Sequence, residues 1–144
     1  MKLFFFSLLL LLISCSDLTS TEDLDKSRLN DIFDTIKTGF YENDSDLIMK
    51  TYHQDFLHNE NDFNAEKLIW GIRVVNYDQI AIENLEFSIH ENWASANFRL
   101  IFTYNDEETV FDEPSEELGD LSYFYKEFDT WFVCGKDFFE KIDS

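Results

Sequence analysis

The sequence predicts an α+β domain in which helices come first along the chain and antiparallel strands follow. Two changes of pattern indicate this. Apolar residues recur every three to four positions in the first half of the chain, but from Gln79 onward they recur every second position. Helices followed by a run of strands are typical of helices packed on one sheet face. We therefore expect three N-terminal helices packed on an antiparallel sheet of four to six strands.

The chain begins with a short apolar segment that we interpret as a signal peptide. Residues 3–13 are apolar except for Ser7, and this run is too short for the roughly 20 residues that a membrane-spanning helix needs. The segment ends in four residues that resemble the lipobox of bacterial lipoproteins, Leu12-Ile13-Ser14-Cys15. The resemblance implies cleavage after residue 14 and lipidation of Cys15. The alternative is an ordinary secretory signal with an incidental cysteine.

The segment after Cys15 is polar and without apolar periodicity, so residues 15–25 are predicted to be a lipidated tether and 26–144 a single domain. Ser16 resembles the residue that releases lipoproteins to the outer membrane in enteric-type bacteria. The expected location is the bacterial cell envelope, lipid-anchored, in the outer rather than the inner membrane.

The composition is strongly acidic. Eleven basic and 30 acidic residues give a net charge of −19. Such a charge makes nucleic acid and anionic membrane surfaces poor partners, while a basic partner stays open. Once Cys15 is lipidated, Cys134 is the one remaining thiol, so no intramolecular disulfide is expected. The apolar residues beside Cys134 in the sequence predict that its side chain is buried and packs as a small hydrophobic group.

Three helices are predicted from apolar periodicity. The first carries the clearest stripe, Leu29, Ile32, Phe33, Ile36 and Phe40, and is expected to end at Gly39 and residues 42–45. A second begins near Asp46, with Asp44 or Ser45 as its N-cap. The third runs from Asn64, its expected cap, to Val75. Its predicted apolar face is Leu68, Ile69, Ile72 and Val75, with Trp70 alongside.

The strands are predicted from alternation. The parity of the apolar residues changes within 79–89, which indicates a bulge near Glu83-Asn84. The run 94–104 alternates most cleanly and forms a hairpin with the strand before it. Residues 105–120 carry eight acids, and we expect an acidic hairpin end or loop with a short strand at 109–111. Two last strands are predicted at 121–127 and 131–134.

Three stretches give the domain a resemblance to the nuclear-transport-factor-2-like superfamily over residues 27–140. The first stretch comprises residues 43–47 together with 52–56, the second residues 93–98, and the third residues 124–127 together with 131–133. The resemblance implies a curved sheet wrapped over three helices around a cone-shaped cavity. Two departures put the cavity mouth in question, since Phe132 replaces the usual polar residue after the closing Trp and the acidic stretch 105–120 is long.

The aromatic residues are candidates for the core or for the lining of such a cavity. Those that we expect to line a pocket, if one exists, are Phe33, Tyr52, Phe56, Trp70, Phe98, Phe102 and Trp131. On this basis the expected function is a non-enzymatic binding domain for a small apolar ligand or a protein partner, without a cofactor. A homodimer through the sheet is a further expectation.

The alternative is a small cavity enzyme of the isomerase or dehydratase type, because the resemblance implies a Tyr and a carboxyl in the cavity. Tyr52, His53 and Asp55 supply these groups, but adjacent helical positions point in different directions, so Tyr52 and His53 are not expected to face one cavity. The histidines His53, His58 and His90 lack the spacing of a metal site. The acids of 106–117 lack the spacing of a calcium loop.

Overall fold

The structure of the protein, a computed structural model, describes residues 20–142. Within them lie four helices, α1 (Thr21–Tyr41), α2 (Ser45–Met49), α3 (Phe63–Asn76) and α4 (Phe138–Ile142). A two-stranded hairpin of β1 (Leu57–His58) and β2 (Asn61–Asp62) separates α2 from α3. The main sheet contains β3 (Gln79–Ile89), β4 (Trp93–Tyr104), β5 (Glu107–Glu113), β6 (Tyr123–Glu127) and β7 (Thr130–Val133). The predicted α+β class is confirmed.

The predicted signal peptide, Cys15 and most of the tether lie outside the described residues. Among the described residues, no helix is both long enough and apolar enough to cross a membrane.

The long strand β4 organises the sheet. Its first residues pair with β6 and its later residues with β5, while β3 runs along its other side, giving the order β3-β4-β6-β7 with β5 beside β4. The predicted bulge is confirmed, because the β3–β4 register shifts between Glu83 and Glu86 and Asn84 has a φ of 54°. A bulge increases local twist, and the sheet curls.

Helix α1 begins earlier than the predicted domain boundary at residue 26. Ser20 caps it, accepting a hydrogen bond from the Asp23 backbone N–H, and the helix starts at Thr21. Asp25 is buried, and its carboxylate accepts hydrogen bonds from Lys126 Nζ at 2.8 Å and Trp131 Nε1 at 2.9 Å. Residues 21–25, which the prediction assigned to the tether, therefore belong to α1, and the contacts of Asp25 tie the second turn of this helix to the sheet.

The far end of α1 also differs from prediction. Gly39 lies inside the helix, which continues to Tyr41. A Cβ on Gly39 would lie 2.6 Å from Ile48 Cγ1 and 2.9 Å from the Asp44 carbonyl oxygen. The glycine therefore serves the close approach of α1 to α2 rather than helix termination. The predicted α2 cap, Asp44, accepts a hydrogen bond from the Leu47 backbone N–H.

Helix α3 is present, but the side that it buries is opposite to the predicted one. Its N-cap is Asp62, whose carboxylate accepts from the Ala65 N–H, rather than Asn64. The side chains that it buries are Glu66, Trp70, Arg73 and Val74. Three of the four predicted apolar-face residues are exposed instead: Leu68 at 71%, Ile72 at 59% and Val75 at 77%. The helix turns two charged residues inward because they find partners there.

The later strands follow the predicted order with one difference. Strand β5 is seven residues long, whereas a short strand at 109–111 was expected, because it pairs along β4 from Phe98 to Tyr104. Cys134 is fully buried, as predicted, and burial raises the pKa of its thiol far above the ordinary value. Helix α4 seats the buried ring of Phe138 against His53, with ring centroids 4.9 Å apart, and against Tyr125. The homodimer through the sheet stays a prediction.

Candidate functional site

The residues predicted to line a pocket are packed together inside the domain. Each is at most 4% exposed and belongs to the core cluster between the helices and the sheet: Phe33, Tyr52, Phe56, Trp70, Phe98, Phe102 and Trp131. Phe33 lies in the middle, with its ring centroid 5.2 Å from that of Phe98. Tyr52 and Phe102 also line depressions at the surface of the described residues. The space between the helices and the sheet is thus filled largely by these side chains.

Five polar or aromatic side chains meet beneath α3 in what we call the buried polar cluster: Tyr52, Glu66, Trp70, Arg73 and Asp120. Arg73 Nη1 donates to Asp120 Oδ2 at 2.7 Å and to Glu66 Oε1 at 3.4 Å. The Tyr52 hydroxyl donates to Glu66 Oε1 at 3.4 Å and accepts from Trp70 Nε1 at 2.7 Å. The guanidinium carbon of Arg73 lies 4.7 Å from the centroid of the Trp70 ring, a cation–π contact.

The two carboxyl groups of the cluster carry different charges at neutral pH. Burial, followed by the charge of Asp120, raises the pKa of Glu66 from 4.5 to about 9. Burial also opposes the charge of Asp120, but Arg73 outweighs it, so the pKa of Asp120 is lowered. Glu66 is therefore neutral and Asp120 ionised, and the cluster of one cation and one anion is uncharged overall.

A proton on Glu66 also satisfies the hydrogen bonding of the cluster. Asp120 Oδ1 is buried, and it is the one such side-chain atom among the described residues without a hydrogen-bond partner. Protonated Glu66 carries an O–H that can donate to the Asp120 carboxylate. Burial, reinforced by the neighbouring carboxyl groups, raises the pKa of Tyr52 well above its ordinary value, so its hydroxyl also keeps its proton. Glu66 and Tyr52 thus both stay neutral near one ionised carboxylate, that of Asp120.

Local structure explains how these residues come together. Glu66, Trp70 and Arg73 stand at positions i, i+4 and i+7 of α3 and so share its inner side. Asp120 follows Gly119, whose φ of +72° turns the chain inward, and a Cβ there would lie 2.8 Å from the Ser115 carbonyl oxygen. Tyr52 follows α2 and is held by a bridge to Val133 of β7.

Arg73 connects the cluster to the surface. It lines a pocket of about 200 Å³ between α3 and β5, the Arg73 pocket, whose walls are mostly apolar: Ile69, Ile72, Tyr77, Phe102, Phe111 and Leu118. The side chain of Arg73 is 9% exposed. Both of its hydrogen bonds use Nη1, so Nε and Nη2 have no acceptor among residues 20–142. A ligand oxygen entering the pocket would meet the Arg73 side chain among its lining residues.

Tyr52, His53 and Asp55, the groups considered for an enzyme site, line one open depression at the surface, but their polar atoms do not come together there. The Tyr52 hydroxyl points into the cluster, whereas His53 Nε2 lies 3.5 Å from Glu127 Oε2 near the surface. His53 Nδ1 accepts from the Asp55 backbone N–H, and the Asp55 carboxylate pairs with Lys141. Both ring nitrogens of His53 are therefore engaged, which leaves no free lone pair for a general base.

The other two histidines are also held in place by the fold. His58 is buried, with Nε2 2.6 Å from the Leu118 carbonyl oxygen and Nδ1 accepting from the Lys136 backbone N–H. His90 stacks on Trp93 with ring centroids 3.7 Å apart. Within residues 20–142, no group of three or more His, Cys, Asp or Glu side chains is arranged to hold a metal ion.

Two carboxylates of the acidic stretch 105–120 are buried rather than exposed. Glu113 is 5% exposed, and its carboxylate accepts hydrogen bonds from the hydroxyl of Ser115 at 2.7 Å and from its backbone N–H. Asp120 is 3% exposed and pairs with Arg73. Both carboxylates are buried because hydrogen bonds and an opposite charge compensate the loss of water.

Sequence reasoning missed Glu66, Arg73 and Asp120. The available signal was the pair of opposite charges seven residues apart on α3, with Trp70 between them, which places three non-aliphatic side chains on one side of a helix. The position of Asp120 directly before the apolar Leu121 was a weaker signal that this carboxylate is buried.

Comparisons with solved structures place this arrangement in a known fold. Bd1075 of Bdellovibrio bacteriovorus is similar with a TM-score of 0.61 and 10% identity over 81% of this chain, which spans 42% of that protein's length. A nuclear-transport-factor-2-like protein of unknown function from Pseudomonas putida KT2440 matches with a TM-score of 0.57 and 10% identity over 78% of this chain and 83% of its own. A putative scytalone dehydratase from Novosphingobium aromaticivorans has the same score and identity over 82% and 85%.

No family model matches the sequence, and no curated protein matches it. At these identities the likeness establishes the fold alone. The domain has the nuclear-transport-factor-2-like α+β fold with a curled antiparallel sheet.

Proposed function

We propose that this protein is a lipid-anchored protein of the bacterial cell envelope, in the outer membrane, whose domain binds a small apolar ligand without catalysing a reaction. The support for the anchor is the match of Leu12-Ile13-Ser14-Cys15 to a lipobox. Mass spectrometry of the protein from bacterial membranes tests it. We expect a mature chain that begins at a lipidated Cys15, and an unprocessed Cys15→Ala variant. An unmodified Cys15 in mature protein would contradict the anchor.

The observation that carries the binding role is the Arg73 pocket. A guanidinium whose Nε and Nη2 lack acceptors among the described residues lies beside apolar walls. Both N–H groups are open to solvent, since among the described residues the one buried side-chain atom without a hydrogen-bond partner is Asp120 Oδ1, and a ligand oxygen would replace water as their acceptor. Pockets that combine apolar walls with a few fixed polar groups are typical binding sites for small molecules.

The charge of the surroundings specifies the ligand further. Asp120 already neutralises Arg73, and Glu116 and Glu117 precede the pocket residue Leu118 in the chain. An anionic ligand would add an uncompensated negative charge to a protein of net charge −19. We therefore propose a compact apolar molecule that carries one neutral acceptor oxygen, such as a carbonyl, directed at Arg73.

Three probes of similar size test this assignment: acetophenone, ethylbenzene and benzoate. The side-chain Nε–H signals of the three arginines, Arg28, Arg73 and Arg99, provide the readout and two internal controls. Acetophenone should shift the Arg73 signal saturably and bind about tenfold more tightly than ethylbenzene or benzoate, as expected for one neutral hydrogen bond. Tighter binding of benzoate, or binding that leaves the Arg73 signal unmoved, would contradict the proposal.

Two neighbouring residues of β5 offer a matched pair of variants. Phe111 faces the pocket, whereas Val110 is opposite Ile101 on the other side of the sheet. Phe111→Trp should fill the pocket and weaken acetophenone binding at least about tenfold, while Val110→Trp should leave it unchanged. Equal effects of the two variants would place the ligand elsewhere.

One observation favours an isomerase- or dehydratase-type enzyme as the second candidate. Neutral Glu66 lies beside the Tyr52 hydroxyl, with ionised Asp120 near both, so an acid and a base share one site. The name of the Novosphingobium neighbour, a putative dehydratase, is in keeping with this. Against it, Glu66 is 1% and Tyr52 2% exposed, so a substrate would reach neither group unless the side chains around them moved.

Exchange of the acetophenone methyl protons in D2O distinguishes the two candidates. A binding domain leaves the uncatalysed exchange rate unchanged. An enzyme that moves protons next to a carbonyl would accelerate the exchange, and Glu66→Gln, which keeps the shape and hydrogen bonds of the side chain, would abolish that acceleration. We expect no acceleration by the wild-type protein.

A further inference from the structure

The outer side of α3 forms an apolar groove that no described residue covers. Leu68, Ile72 and Val75 are each more than half exposed. Beside them a depression of about 540 Å³, which we call the α3 groove, is lined by Ser45, Asn64, Lys67, Leu68, Gly71 and Ile72. Large apolar side chains scattered singly over a surface are ordinary, but three on adjacent turns of one helix mark an interaction surface.

Gly71 provides an independent observation at the centre of this groove. It stands in the interior of a 14-residue helix, where glycine costs about 1 kcal/mol relative to alanine. A Cβ built on it would meet nothing within 4 Å, so packing inside the domain gives no reason for its small size. Gly39 of α1 differs, since its Cβ would meet Ile48. A glycine facing open space instead permits close approach by the backbone of another molecule.

The charges around the groove select the kind of partner. Lys67 is paired with Asp46 at 2.6 Å, and Asp44 and Asp62 cap α2 and α3 at the same end. Lys50 also acts on Asp46, so three carboxylates accompany two lysines, in a protein whose net charge is −19. A second copy of this chain would bring like charges together, whereas a cationic partner would be attracted.

We propose that the α3 groove docks an amphipathic helix of a partner protein, with apolar residues packed on Leu68, Gly71 and Ile72 and Lys or Arg residues on its flanks. An apolar helix face lying in such a groove is a recurrent mode of recognition. Because Gly71 has no side chain, the axes of α3 and the partner helix can approach to about 8 Å, the short end of the usual interaxial distances of packed helices. This surface is separate from the Arg73 pocket apart from Ile72 at their shared edge, and the proposal does not rest on ligand binding.

Three synthetic helical peptides of the length of α3 test the proposal against the whole mature chain. The first has a Leu-rich face flanked by Lys, the second has the same face flanked by Glu, and the third keeps the Lys residues but carries Ser in place of Leu. Backbone amide shifts should map the first peptide onto α3 around Gly71. It should bind at least about tenfold more tightly than either of the others, because both the apolar face and the charge are required.

Gly71→Gln is the decisive variant, because it adds an uncharged side chain at the floor of the groove where the fold leaves space. It should weaken the Lys-flanked peptide at least about tenfold and leave the melting temperature equal or higher. Val110→Gln, on the exposed side of β5, is the matched control and should change neither. Phe111→Trp, which fills the Arg73 pocket, should also leave peptide binding intact.

Four outcomes would overturn the proposal. Equal binding of the Lys- and Glu-flanked peptides would show that the groove does not select a cationic partner. Equal binding of the Ser peptide would show that charge alone, without apolar packing, accounts for the binding. Undiminished binding by Gly71→Gln would place the peptide elsewhere. A concentration-dependent dimer in sedimentation equilibrium that Gly71→Gln abolishes would make a second copy of the chain the occupant.

Discussion

Helices α1 and α3 pack on the same side of the domain, yet they distribute polar and apolar residues in opposite ways. Helix α1 buries its aliphatic and aromatic stripe, including Phe33 and Ile36, and turns its charges outward except for Asp25. Helix α3 buries Glu66 and Arg73 and turns Leu68 and Ile72 outward. A helical period therefore identifies an amphipathic helix, but the partners available inside the fold decide which of its sides is buried.

The difference has an energetic basis. The charges of α3 are tolerated inside because Asp120 pairs with Arg73 and because Glu66 gives up its charge. A buried cation without these partners would cost several kcal/mol. The buried polar cluster thus fixes the orientation of α3, and that orientation produces both the Arg73 pocket and the α3 groove.

The largest expected effect comes from removing the central charge of the cluster. Arg73→Met leaves ionised Asp120 buried without its cation and should lower the free energy of unfolding by about 3–5 kcal/mol in urea titration. Arg28→Met on α1, where the arginine is 39% exposed and 3.6 Å from Asp25, should cost less than about 1 kcal/mol. Similar losses for both variants would mean that the cluster does not hold α3.

Two isoleucines test the orientation directly. Ile36 on α1 is fully buried, and Ile36→Ala should cost about 2–5 kcal/mol through lost contacts and a cavity. Ile72 on α3 is 59% exposed, and Ile72→Ala should cost less than about 0.5 kcal/mol in the same titration. A large cost at Ile72 would show that the predicted apolar face of α3 is buried after all.

The two helices should also respond to pH with opposite signs. Glu66 ionises near pH 4.5 when unfolded and near 9 when folded, so the free energy of unfolding falls as pH rises through this window, by up to about 1.4 kcal/mol per unit. Burial opposes the charge of Asp25, but Lys126 and Trp131 outweigh it and lower its pKa below 3.8, so its contribution is lost as pH falls below that value.

Chemical denaturation at pH 3, 5, 7 and about 8.5 measures both slopes, and the variants assign them. Glu66→Gln should flatten the alkaline side and Asp25→Asn the acidic side. If Glu66→Gln left the slope above pH 5 unchanged, the folded-state proton would have to reside on another group.

The smallest expected effect compares the two helical glycines. Gly71→Ala should raise the free energy of unfolding by about 0.5–1 kcal/mol, because alanine favours the helix and finds open space. Gly39→Ala should lower it by about 1–3 kcal/mol, because its Cβ collides with Ile48 and the Asp44 carbonyl. A loss at Gly71 would indicate packing inside the domain at that position.

Much of the fold could be predicted from local patterns. The stripe of α1 and the parity change near Asn84 each reflect interactions between residues close in sequence, and both are found in the structure. The orientation of α3 could not be predicted in this way. It depends on Asp120, which lies 47 residues after Arg73 and reaches it only once the sheet has formed.

The candidate site was predictable only in part. Tyr52, Trp70 and Phe102 were identified as inward-facing aromatics, and all three border the buried polar cluster or the Arg73 pocket. The charged residues of the site were missed because charged side chains are usually exposed. A buried charge signals itself by its partner in space rather than by its neighbours in sequence.

Because Glu66 is protonated in the folded domain, folding is coupled to the uptake of a proton. At neutral pH the unfolded chain holds this carboxyl as an anion, whereas the folded domain holds it as an acid, so each molecule that folds takes one hydrogen ion from the buffer. The heat measured for unfolding should accordingly include the ionisation enthalpy of whichever buffer receives that ion. Tris and phosphate, which differ widely in this enthalpy, would then report different calorimetric heats for the same structural transition.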